Sequence, residues 1–208
     1  MSGVRRSGTS ACGRLAVVLA GQSLPIQAWA HAQIQGMGDF SGGLLHPLLT
    51  PAHLLILLAL GLWLGQQPPL QLHMPMLLFA PLSAAGLGLT LWMPMPPEWQ
   101  AWLAAVALGI AILVVSAARL PRWAALPIFA LSALAIGLDS GLEAASSTTT
   151  VAITLLGTWI SVNLCIVNFA YYTSLCPQHK KWVQTGIRVA GSWIAAICLL
   201  FLAFSLRA

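Results

Sequence analysis

Apolar stretches of about twenty residues recur from one end of this chain to the other, separated only by short polar connections. A helix needs about 20 residues to cross a hydrocarbon core of about 30 Å. The runs fall near residues 44–65, 74–92, 99–118, 123–142, 150–172 and 183–206, which predicts six transmembrane helices. The connections at 66–73, 93–98, 119–122, 143–149 and 173–182 are too short to hold a soluble domain. They predict an up-and-down bundle in which neighbouring helices pack antiparallel. With 59% hydrophobic and 6% charged residues and a mean hydropathy of +0.86, the chain lacks the roughly 25% charge that covers a water-soluble surface. The expected fold class is an all-α polytopic membrane bundle, with the lipid bilayer as its partner.

The amino terminus reads as an export signal. Arg5, Arg6 and Arg14 precede the apolar run 15–20, and Ala28-Trp29-Ala30 is a small-x-small cleavage signature. Residues 1–30 are then the signal peptide, 31–208 the membrane domain, and His31 the mature amino terminus. An uncleaved signal anchor is the alternative, since Gly21, Gln22 and Pro25 interrupt the apolar region. Export sets the mature terminus in the periplasm of a bacterium, with the chain in the inner membrane. Arg119 and Arg122, and Lys180 and Lys181, then fall in the cytoplasm, as the positive-inside rule requires. The scattered bases, which give a net charge of +5, serve topology, and no basic patch with aromatic partners indicates nucleic acid.

The four carboxylates, Asp39, Glu98, Asp139 and Glu143, all fall on the outer side, along with His31, His46 and His53. On a regular helix His46 and His53 share a face but stand about 10.5 Å apart along the axis. Two nitrogens on one metal ion stand about 3 Å apart, so a regular helix forbids joint ligation by this pair. Pro47 and Pro51 disturb that regularity, because each lacks an N–H. Pro47 alone is explained by a helix start, Pro51 less readily. Broken helices of this kind hold ions inside membranes. Thr154, Thr158, Ser161, Cys165, Asn168 and Tyr172 form a polar stripe at helical spacing. It suits interhelical hydrogen bonding or the wall of a polar pathway. No catalytic set is legible: in Gly137-Leu138-Asp139-Ser140-Gly141 the serine stands one place late for a nucleophile elbow. The chain reads as a non-enzyme, with no cofactor bound permanently.

The stretch from His46 resembles the first-helix signature of the HupE/UreJ family, roughly H-P-x-x-G-x-D-H-L-L-A-M. His46-Pro47 and His53-Leu54-Leu55 match it at the family spacing, and the Gly36–Gly43 region with Asp39 and Phe40 resembles its lead-in. A second motif, roughly H-G-x-A-H-G-x-E, aligns through Gly137, Gly141 and Glu143. Thr50 and Ala52 stand where the first motif has glycine and aspartate; Ile136 and Ser140 replace both histidines of the second. The resemblance implies a secondary permease for nickel or cobalt, with the ion as substrate. The expected site is an outward-facing inlet of His31, Asp39, His46 and His53, approached by Asp139 and Glu143. The rival expectation is a non-transporting accessory or scaffold protein of metalloenzyme maturation.

Overall fold

The computed structural model describes residues 38–93, 95–96, 98–141 and 147–205, so the expected signal peptide, His31 and Glu143 lie outside the described residues. The described chain is helical: α1 Asp39–Leu49, α2 Pro51–Gly65, α3 His73–Leu89, α4 Trp99–Ser116, α5 Arg122–Asp139, α6 Thr148–Leu175 and α7 Lys181–Ser205. Helices α4 to α7 are long and apolar enough to cross a membrane, and α1 with α2 makes a fifth span if the bent pair counts as one. Helix α3, where a sixth span was expected, has 17 residues and covers about 26 Å.

The first expected helix, 44–65, is two helices that meet at an angle of 69°. The cause is local. A residue before proline is disfavoured in the α region, and Thr50, before Pro51, is extended at φ −89° and ψ 108°. Thr50 is β-branched and takes that geometry readily, so the glycine of the family signature is not needed here. Pro51 then opens α2, where its missing N–H costs little. The two prolines thus exchange the roles expected of them. Pro47 lies inside α1 and leaves the Gly43 carbonyl without its i+4 donor. The Thr158 hydroxyl of α6 donates to that carbonyl at 3.1 Å.

Helix α2 is the axis of the bundle, burying His53, Ile56, Leu57, Leu60 and Trp63 among others, with α4 and α6 packed along it. The main pairings differ from the antiparallel neighbours expected from loop length. Helix α3 packs chiefly on α5, α2 on α6 and on α4, and α7 on α4. Short loops fix alternating directions but not which helices touch, and close approach decides that. A Cβ on Gly137 would stand 2.9 Å from Gly86 Cα and 2.7 Å from the Ser83 carbonyl, so α3 and α5 touch backbone to backbone. A methyl on Gly43 would run into the Thr154 carbonyl of α6. Packing through small residues is how helices associate where lipid is as apolar as leucine.

The outer surface is not that of a water-soluble bundle, and polar groups are buried beside the apolar core. Thr154, Thr158, Ser161, His53 and Asp139 are buried, while Trp102, Ile112, Leu164, Trp193, Leu200 and Phe204 are exposed. Exposed tryptophans also mark both ends: Trp92 and Trp102 at one, Trp123 and Trp182 at the other, as in interfacial belts. Charge is segregated along the same axis. Trp63 Nε1 donates to Ala118 at 2.9 Å and Arg122 to Gln71 at 2.8 Å, joining the basic ends. Asp39 at the start of α1, Glu98 just before α4 and Asp139 at the end of α5 lie toward the opposite end.

Candidate functional site at the helix break

The break brings together residues that a straight helix would hold apart. His46, near the end of α1, and His53, in the first turn of α2, have ring centroids 5.4 Å apart and meet edge to face. This overturns the axial separation expected of a regular helix, and the extended Thr50 is the reason. An imidazole centroid lies about 3.2 Å from a metal on its nitrogen, so two rings on one ion at tetrahedral angles stand about 5.2 Å apart. Joint ligation, excluded on a regular helix, comes within reach here.

The third member comes from α5. His53 is fully buried, and its Nε2 lies 2.9 Å from Asp139 Oδ2. Asp139 itself is 8% exposed. A carboxylate in the last turn of a helix opposes that helix's dipole, and its burial raises the cost. Two donors offset this. One is His53; the other is Gln100, whose Nε2 donates to both Asp139 oxygens at 2.9 Å. Trp99, one residue before Gln100, ties the start of α4 to the Ala135 carbonyl of α5 at 3.4 Å. The carboxylate that the first motif carries beside its histidine is absent at Ala52, and the one reaching His53 arrives from another helix.

Two buried polar atoms at the break have no hydrogen-bond partner: His53 Nδ1 and Thr50 Oγ1. Thr50 is 1% exposed and occupies the N-cap of α2 without capping it. Unpartnered buried polar atoms are uncommon in folded proteins, and these two lie within one helical turn of each other in sequence.

The remaining expected site residues divide. Asp39 is half-buried at the start of α1 and forms no hydrogen bond or ion pair among the described residues. His31 and Glu143 lie outside them. Among the described residues no three His, Cys, Asp or Glu side chains converge closely enough to hold a metal ion. The polar stripe splits midway: Thr154, Thr158 and Ser161 are buried, whereas Asn168 and Tyr172 are exposed. Thr158 bonds Gly43 and its own helix, so the outer half is packing, and the bond from Asn168 to the Leu164 carbonyl stays within α6. Gln100 went unnoticed in the sequence. Its one signal is a carboxamide at the start of a helix that otherwise carries only Ser116 as a polar residue.

The fold and this buried cluster define a multi-pass membrane protein with an ionisable pair inside the bundle. The family model described as HupE / UreJ protein matches residues 17–201, and the chain belongs to that family. The family is associated with nickel or cobalt transport or with urease and hydrogenase accessory function. No curated protein and no solved structure matches the chain.

Proposed function

We propose that the protein is a secondary permease that moves a nickel or cobalt ion inward across the bacterial inner membrane, and that it is not an enzyme. The observation that carries this reading is the approach of His46 to His53 at the helix break. Imidazole nitrogens suit nickel and cobalt, while carboxylates alone favour harder ions. The chain has no nucleotide-binding motif, so the driving force is the membrane potential or an ion gradient. A divalent cation moving inward gains about 4.6 kcal/mol per 100 mV.

In this reading six spans cross the bilayer, with the signal peptide removed before His31 and the mature terminus in the periplasm. His31, Asp39 and Glu143 contribute the inlet that leads an ion to the break. His46 and His53 then take the ion, and Asp139 acts through its bond to His53. A non-transporting accessory role is favoured by one observation, the absence of a three-ligand set among the described residues. Uptake of radioactive nickel or cobalt by cells lacking their own transporters decides between the two. Uptake above the empty-vector level that is lost in His53→Ala supports the permease; no uptake by the parent supports the accessory protein.

A further inference from the structure

Histidine has two ring nitrogens, and in the neutral ring only one offers a lone pair. Which nitrogen that is depends on what the other one bonds. At His53 the choice is set from outside α2. Asp139, as a carboxylate, only accepts hydrogen bonds, so the hydrogen of the 2.9 Å contact belongs to His53 Nε2. Gln100 donates to both carboxylate oxygens, which fixes the plane of the carboxylate and keeps both oxygens as acceptors. Nδ1, the nitrogen nearer the backbone, is buried beside the first turn of α2 and has no partner.

We propose that Gln100 and Asp139 are positioning residues that lock His53 in its Nε2–H tautomer, so that a bare Nδ1 lone pair is held ready at the α1–α2 break. The ligating atom of His53 is therefore Nδ1, and Asp139 orients the ligand without touching the ion. Metal-binding histidines characteristically give their other N–H to a carboxylate in this manner. The arrangement rests on the reading of His53 as a ligand, but the tautomer is a property of the metal-free protein. It also accounts for the carboxamide at Gln100. A carboxylate held by His53 alone would be free to turn about its own axis, and the direction of the ring would turn with it. His46, across the break on α1, has its ring edge-to-face on His53 at 5.4 Å and supplies the second imidazole.

The test is nitrogen-15 NMR of the full chain in lipid nanodiscs, labelled at histidine and free of metal, with the His53 signals assigned by their loss in His53→Gln. Protonated and bare ring nitrogens resonate in separate regions, so the tautomer ratio is read directly. The parent is expected to hold the Nε2–H form in at least about tenfold excess, the ratio that corresponds to about 1.4 kcal/mol. In Asp139→Leu the excess is expected to fall by at least about twofold, toward the preference of a free neutral imidazole, and in Gln100→Leu by less. A merely structural role for the two residues would leave the ratio unchanged while lowering the melting temperature. An Nδ1–H tautomer in the parent, or an unchanged ratio in Asp139→Leu, overturns the proposal. If Asp139→Leu does not fold, an unchanged ratio in Gln100→Leu overturns it. No metal is present, so a failure of the permease reading shows in uptake and not in this spectrum.

Discussion

His53 and Asp139 are 86 positions apart in the chain, on α2 and α5, and bond side chain to side chain at 2.9 Å inside the bundle. The pair couples the first turn of the axial helix to the last turn of a helix that otherwise packs mainly on α3. An ionisable group placed there is costly unless it is partnered, and each is the other's partner.

Breaking the pair exposes that cost. His53→Ala leaves Asp139 with Gln100 alone, and Asp139→Ala leaves the buried Nε2–H without an acceptor. Each substitution is expected to lower stability by about 1–3 kcal/mol, read as a fall in melting temperature of the purified protein in detergent. The double variant is expected to cost less than the sum of the two, as for residues in direct contact.

The backbone contact of α3 with α5 positions Asp139, two residues after Gly137. Gly137→Ala forces the helices apart and is expected to cost about 1–3 kcal/mol. Gly109, in the middle of α4, has open space where a Cβ would lie. Gly109→Ala is expected to be neutral or to stabilise by about 0.5–1 kcal/mol. Parallel thermal melts of the two variants check both statements, and equal losses would refute the close-packing argument.

At the other end of the bundle α4 stops at Ala117, which holds φ 50° and ψ 39°. This left-handed conformation costs a residue with a Cβ about 1–2 kcal/mol and suits glycine. The Ala118 N–H closes the turn onto the Leu113 carbonyl at 3.1 Å. Ala117→Gly is expected to raise the melting temperature, and a lower value would argue against this cap.

Most of the helical layout was legible in the sequence, because apolar length is a direct physical requirement of the bilayer. The runs expected at 99–118, 123–142, 150–172 and 183–206 correspond to α4 through α7 with ends shifted by up to three residues. The break at Thr50 was half legible. The prolines were visible, but Pro47 and Pro51 compete for the role of helix start, and only the extended Thr50 settles it. Helix partners were not legible from loop length, since loops constrain direction and glycine contacts such as Gly86 with Gly137 choose the neighbour. Asp139 stood out as a carboxylate in an apolar run, whereas its bond to His53 depended on an adjacency that no local pattern encodes. Gln100 carried almost no signal, because a carboxamide at a helix start is ordinary until its partner is known.

Pro51 tests the origin of the site. With Pro51→Ala the i+4 donor to the Pro47 carbonyl is restored and Thr50 is free to become helical. The His46 and His53 rings are then expected to separate toward the roughly 10.5 Å axial spacing of a continuous helix. Ring-to-ring contacts in solid-state NMR of histidine-labelled protein report this directly. Persistence of the close contact would show that the proline is not what bends the chain.

Joint action of His46 and His53 on one ion at the break is tested by equilibrium binding of cobalt or nickel to the purified protein. The parent is expected to bind, and His46→Ala and His53→Ala are each expected to weaken binding by more than about tenfold, with Asp139→Ala losing about 10- to 100-fold through its hold on His53. Equal binding by all four proteins, or no binding by the parent, would contradict it.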